Sequence, residues 1–537
     1  MKRIEKIFTG AALLAVIIIT AGSLWCTNTK NTNQNYTYPI NKYGAFLAAQ
    51  HAIFINDFES ASFFANNLED TEYPIVQNTK LLSDFLSGKL PENAKNLKDE
   101  KTAAVRLIYD AYLLTQDDWQ ELYKRHKKDE SALAAPLRIW SAVAINHITE
   151  TLKFIESLST NESWKNFVRG QIYAELGKPE KAAEYFDKVA ADFMNINDYL
   201  YIMSFYNNYN MPIKAEALKA NFTLRPGGMF MAQYNDIPSW DNYSGLKNAL
   251  AFSLIQNVSH TQIMMYSDLS ILLLRFAQII GPGYDENNNA INYYMGQFFY
   301  TNTGDYEKYF NKVDKNSPFG AFSLLRIADK NDDIDELKDL VDKNPLFVPA
   351  VNKLIAYYIQ HDNQRAALKV INESLKYPDL SEIGHAFFTK SRAQIYYVFG
   401  DLDKAQSDIH DASVMLPLDS EILALQAKIW AGQNREIENA YDYAMGLVKQ
   451  NPSDIFAWDT LGVVLAVREG TDSALEILSR VGDVANNCSS LFEHLGDLYV
   501  KKGDNDKALE AYNRALDLSD DGLTIAPQIE KKIRKLK

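Results

Sequence analysis

From residue 41 onward, apolar side chains recur three and four positions apart, the spacing that places them on one face of a helix. Leu107, Ile108, Tyr112 and Leu113 make one such face, and Trp140, Val143, Ile145 and Ile148 make another. The stripes are short and recur along the chain, which predicts many short amphipathic helices in pairs. The start of the chain is patterned differently. Lys2, Arg3 and Lys6 precede a run from Ile7 to Trp25 that is 19 residues long and carries no charge. At about 1.5 Å per residue this run just spans a ~30 Å hydrocarbon core. It reads as a cleaved signal peptide, as an uncleaved signal anchor, or as a lipoprotein signal ending at Cys26. Each reading exports the body of the protein. A polar, Asn/Thr-rich spacer follows.

The helical pattern repeats at a fixed period. Leu495-Gly496, Tyr499, Gly503-Asp504, Ala508-Leu509, Tyr512 and Ala515-Leu516 form one unit. A shift of 34 residues toward the N-terminus gives Leu461-Gly462, Leu465, Ala474-Leu475, Leu478 and Val481, with Trp458 ahead of them. Further copies contain Ala440, Ala444 and Leu447-Val448. Another has Tyr396, Gly400-Asp401, Ala405 and Ile409, and a fifth has Leu354, Tyr358, Ala367-Leu368 and Ile371. Weaker copies lie at Gly170, Tyr173, Gly177, Ala182 and Phe186, at 44–68, and around Gly296 and Gly304. In the clearest copy Leu-Gly and the aromatic residue share one face of a first helix. Gly-Asp ends that helix, because glycine tolerates the left-handed cap. A small alanine then lets the second helix approach closely.

This pattern resembles the tetratricopeptide repeat, whose signature has the same residue types over 34 positions. The resemblance implies an all-α solenoid of helix-turn-helix units, wound as a right-handed superhelix behind the N-terminal hydrophobic helix. The layout also resembles exported tetratricopeptide proteins of alphaproteobacteria, on its Tyr-Gly-Ala-Phe-Leu-Ala, Trp-Asp-Thr-Leu-Gly and His-Leu-Gly-Asp-Leu-Tyr segments. The resulting division is 1–26 signal or anchor, 27–40 linker, and 41–221 N-terminal repeats. It continues with 222–345 irregular or degenerate repeats, 346–518 C-terminal array, and 519–537 basic capping tail.

The middle breaks the period. Pro226, Gly227, Gly228, Pro238 and Gly245 interrupt helices within a short span, predicting an inter-repeat loop or a boundary between two solenoid halves. Leu269–Ile280 is too short to span a bilayer and reads as a core helix. Tyr199, Tyr201, Phe205, Tyr206, Tyr209, Tyr234, Trp240 and Tyr243 crowd this region, either as interface filling or as a ligand-binding surface.

Composition narrows the function classes. Glycine (24) and proline (16) are too few among 537 residues for a large all-β chain. The net charge of −14 disfavours a surface that neutralises nucleic-acid phosphates. Two cysteines exclude a disulfide framework. No phosphate loop, HExxH motif or Gly-x-Ser-x-Gly elbow is present. His126, in a basic run, reads as a solvated helix face, and Cys488 as an incidental thiol in a turn. No catalytic, metal or cofactor residues are expected.

What remains is the concave groove that first helices line in such a solenoid. The register places Asn352, Lys390, Gln394, Tyr397, Gln426, Asp459, Glu493 and Asp497 there. The set is polar and trends acidic toward the C-terminus. It lacks the Lys/Asn clamp with which some tetratricopeptide domains hold a terminal carboxylate. The expected partner is a peptide carrying basic or amide groups, or a helix of another protein. The chain thus reads as a non-catalytic, periplasm-facing scaffold or adaptor of the bacterial envelope, tied to the inner membrane if its N-terminal segment is uncleaved. The alternatives are a chaperone-like assembly factor and an enzyme with an unrecognised site in 190–300. The tail 529–537 is expected to cap the last repeat with Ile529, Ile533 and Leu536, or to touch a membrane or partner through its lysines.

Overall fold

The computed structural model describes residues 42–537 apart from 69–72, 101, 130, 132–133, 192–193, 261–267, 303, 379 and 485–486. The N-terminal apolar run and spacer lie outside the described residues. Among those described, 28 α-helices and no strand are found, and no helix is long and apolar enough to cross a membrane.

One local device builds most of the fold. A helix ends in a residue with left-handed backbone, and the next residue's amide reaches back to the carbonyl five positions earlier, which turns the chain sharply into a second helix. α1 (Lys42–Phe54) and α2 (Phe58–Ala65) meet at Asn56, with φ 59°. α3 (Pro74–Leu86) packs on this pair and ends in the same turn at Gly88, with φ 91°. α4 (Ala103–Thr115) and α5 (Trp119–His126) meet at Asp117, and α6 (Ala134–Ala144) and α7 (Ile148–Ser157) at Asn146. α8 (Glu162–Glu175) and α9 (Pro179–Ala190) turn at Gly177; α10 (Ile196–Asn208) and α11 (Pro212–Thr223) turn at Asn210. The reach-back bonds measure 2.8 Å from Asp57 to Ala52, 2.9 Å from Asp118 to Leu113 and 2.8 Å from His147 to Ala142. Asn and Asp tolerate left-handed backbone better than other side chains. They therefore carry the turn where glycine is missing, and the pairs between 75 and 160 without a recognisable signature share the geometry of the clear ones.

The stretch between α11 and the next α-helix, 224–245, is packed rather than free. Two short 3₁₀ turns, Met229–Gln233 and Trp240–Asn242, bury Met229, Phe230, Met231 and Trp240. Phe230 lies against Phe322 and Phe347, with centroids 5.5 and 5.1 Å away. Beyond it come α12 (Leu246–His260) and α13 (Asp268–Ile280), the apolar core helix expected there, with Leu273, Leu274, Phe276 and Ala277 fully buried. α14 (Asn289–Thr301), α15 (Glu307–Phe310), α16 (Pro318–Asn331) and α17 (Ile334–Lys343) follow. One apolar core runs from Phe58 to Ile395 without a break at 222–245. The crowded aromatics are its filling: Tyr199, Tyr201, Phe205 and Tyr206 are each at most 1% exposed.

The C-terminal array consists of α18 (Val348–Gln360), α19 (Gln364–Leu375), α20 (Glu382–Val398), α21 (Leu402–Met415), α22 (Ser420–Gly432) and α23 (Ile437–Gln450). It continues through α24 (Ile455–Arg468), α25 (Thr471–Gly482), α26 (Ser489–Lys502) and α27 (Asn505–Asp517) to the terminal α28 (Ala526–Leu536). The Leu-Gly signature has a steric reason. A Cβ on Gly462 would stand 2.3 Å from Leu478, and one on Gly496 2.4 Å from the Tyr512 ring. These glycines let the paired helices touch. α28 caps the array as expected, with Ile529 and Ile533 buried.

Candidate functional site

The left-handed turn residues also fix which side chains share one register on the first helices of the array. Six positions before Asp362, Gly400, Asn434 and Gly503 stand Ala356, Gln394, Lys428 and Asp497, on α18, α20, α22 and α26. One turn earlier on three of these helices stand Asn352, Lys390 and Glu493. The helical period keeps both sets on one side.

The face is stitched together helix to helix. The ammonium of Lys390, with a 12% exposed side chain, pairs with Glu421 of the next first helix and lies 4.9 Å from the Phe387 ring centroid. Lys428 donates to Asp459 Oδ2 at 2.6 Å. His494 Nδ1 lies 2.7 Å from Asp459 Oδ1, and Ser490 donates to Oδ2 at 3.0 Å. Lys532 of α28 donates to Glu493 at 2.8 Å and to Asp497 at 2.7 Å, while the Tyr512 hydroxyl donates to Asp497 at 2.6 Å.

Asp459 is the hub. It is 0% exposed. Burial alone would raise its carboxyl, but Lys428 and His494 outweigh that and hold it well below the ordinary range. Burial would likewise lower Lys428, and Asp459 reverses it. Tyr397, half-buried on α20, feels Lys428, Asp459 and Glu493 together. Burial, the largest influence, pushes its hydroxyl up to about 12, with Lys428 opposing and the two carboxylates assisting. The centre of the face is thus occupied by the protein's own paired charges.

The eight expected groove residues are therefore placed as follows. Tyr397, Asp459 and Glu493 converge, and Glu493 and Asp497 share Lys532. Asn352 is exposed and Gln394 is half-buried. Gln426 is buried at 5% and bonded to Gln406 of α21 at 2.8 Å, so it packs between helices. On α22 the residue at the register of Gln394 is Lys428, which lies two positions beyond the expected Gln426. Ala427, fully buried, marks the true register. The acids Asp459, Glu493 and Asp497 are paired with Lys428 and Lys532.

One residue outside the face, His126, differs from expectation, whereas the Cys488 thiol is as inert as expected. His126 is 4% exposed and lies 2.9 Å from Asp110, which also accepts from Arg125 at 2.8 Å, while the lysines around them stay exposed. Cys488 caps α26 in a fully buried position, and burial pushes its thiol up to about 11. That is the opposite of an activated nucleophile.

The tetratricopeptide repeat model matches residues 166–191 and 490–521. These two segments coincide with α8–α9 and with α26–α27, two pairs built around Gly177 and Gly503. Among solved structures, the chain is similar to a thermophilic tetratricopeptide protein of Thermus thermophilus, at 16% identity and a TM-score of 0.28 over 35% of this chain and 96% of that one. It is similar to yeast Tom70 at 12% identity and 0.28, over 81% and 95%. It is also similar to the APC/C hetero-tetramer Cut9–Hcn1 at 12% and 0.31, over 92% and 96%. No curated protein matches the sequence.

Proposed function

We propose that the chain is a non-catalytic scaffold whose C-terminal tetratricopeptide array binds a protein or peptide segment on its concave face. The observation that carries this reading is the row of side chains at one register of successive first helices. They reach from helix to helix or into solvent instead of filling the apolar core. A surface organised in this way suits recognition of an extended or helical segment by hydrogen bonds along its length. The sequence from Lys2 to Trp25 supports an exported protein facing the periplasm, held at the inner membrane or released there, and the layout shared with exported alphaproteobacterial proteins points the same way.

Affinity capture from membranes with the full chain, followed by mass spectrometry, tests the reading. The charge-reversed pair Lys390→Glu and Glu493→Lys, checked for retained helicity, should lose the captured partner. Capture that is unchanged would reject the concave face as the binding surface. One stable partner would support a scaffold, and a broad set of unfolded clients an assembly factor.

A further inference from the structure

The C-terminal segment after α27 does not simply run on to α28. A 3₁₀ turn at Ser519–Asp521 is tied to the start of α26, where Asp521 accepts from the Ser489 amide at 2.8 Å and from its hydroxyl at 2.6 Å. Thr524 adds a bond to the same hydroxyl at 3.1 Å and is 1% exposed. From this anchor the chain crosses to α18, the first helix of the array. Gly522 sits in left-handed backbone (φ +72°) with its α-carbon so close to Ala356 that a Cβ would fall 2.7 Å from the alanine Cβ. Gln360 donates to Ser519 at 3.3 Å, and Gln528 donates to Asp362 at 3.4 Å. Ile525, 3% exposed, joins the apolar core that contains Leu354, Ile355 and Ile359 of α18. The circuit from α18 to α28 is thereby closed.

Ala356 occupies the register of Gln394, Lys428 and Asp497, so the segment that covers it rests on the concave face itself. We propose that residues 519–528 are an intramolecular occupant of the groove at α18, and that the external partner is a segment of the same chemistry. This rests on the concave-face reading above. The occupant shows what the site accepts: a small residue against Ala356, hydroxyl and amide groups toward Gln360 and Asp362, and one aliphatic anchor. It is not a basic peptide, in keeping with the internal pairing of the groove acids. Tethering gives the occupant an effective concentration on the order of millimolar, so a partner of similar intrinsic affinity binds only weakly while the segment is seated.

The probe is a labelled peptide of residues 519–528, with a scrambled control, titrated onto the full chain. Ile525→Asp removes the aliphatic anchor and should release the segment. The released chain should bind the peptide at least about tenfold more tightly than the unaltered chain, because the tethered competitor is gone. Adding Ala356→Glu, which fills the receiving position, should abolish that gain. Equal binding by both chains, or none by a released chain of native helicity, overturns the proposal. If Ile525→Asp does not fold, Ala356→Glu alone should raise hydrogen exchange across 519–528, and unchanged exchange there overturns it. Peptide binding and partner capture are separate readouts, so loss of one does not stand for loss of the other.

Discussion

A buried carboxylate is tolerable only when its partners are complete, and Asp459 shows how much rests on completeness. Three donors from two other helices converge on it: Lys428, Ser490 and His494. Asp459→Asn leaves Lys428 charged and without its counter-ion, and breaking such a pair costs roughly 3–5 kcal/mol. Chemical denaturation should report a loss of that order for the C-terminal array, whereas exposed Lys343→Ala, paired only with Asp339, should cost under about 1 kcal/mol. The pH dependence follows from the low folded pKa of Asp459: its contribution is complete at neutral pH and is lost as pH falls through the acid range. Glu175 has the opposite sign. Burial raises its carboxyl to about 7, and a bond from the Gly245 amide only partly opposes this. The folded state therefore holds a proton that the unfolded chain releases near pH 4.5, so stability falls as pH rises from there to about 7. Thermal melts at about pH 5 and about pH 8 should show this decline, and Glu175→Gln should remove that part of it. A decline that persists unchanged in the variant would assign it to other groups.

Helix pairs stand or fall on their turn and on their contact point. Gly496→Ala would force a methyl against the Tyr512 ring, and overpacking of this kind costs about 1–3 kcal/mol. Gly446, whose Cβ would meet nothing within 4 Å, is the matched control, and its alanine variant should lose nothing. A difference in denaturation midpoint between the two would confirm the packing role, and equal midpoints would refute it. The contact glycines are legible in the sequence because only glycine fits there. The turns are legible only in part. Gly177, Gly400 and Gly503 announce themselves, whereas Asp117, Asn146 and Asn210 perform the same left-handed turn with side chains that also suit caps and loops. The N-terminal pairs are therefore visible in the sequence as helical periodicity but not as repeats. Of the expected groove residues, Gln426 packs against Gln406 between helices, and Lys428, two positions on, carries the pair with Asp459. The pairing of the face cannot be read from sequence at all, because Asp459 meets partners 31 and 35 positions away, on other helices, a spacing that carries no local signature.

Across the whole molecule, each helix pair contacts mainly its neighbours, so stability in a solenoid is a sum of local terms and need not be lost in one step. The apolar interior is divided accordingly. One core extends from Phe58 to Ile395, a small one bridges Ala393 to Ile429, a third extends from Ala427 to Ile533, and a fourth, of Ala45, Ala49, Ala65 and Leu68, sits within the first pair. The third core is smaller than the first, yet the 519–528 segment ties the two together through Ile525 and the contact of Gly522 with Ala356. This gives an expected outcome that an untied solenoid would not show. Leu478→Ala, at a fully buried position in the third core, should cost about 2–5 kcal/mol locally. Hydrogen exchange should then rise across 427–533 and also in α18, which loses the cover that the third core holds in place. Helices α8 to α13 should keep their protection. If exchange rises only within 427–533 while α18 stays protected, the C-terminal segment does not couple the two ends of the array. If it rises everywhere, the cores unfold as one unit and the division is not energetic. The expected pattern would make the C-terminal segment a thermodynamic link between the last repeat and the first helix of the binding face, so that a partner seated on α18 alters the stability of the repeats farthest from it in sequence.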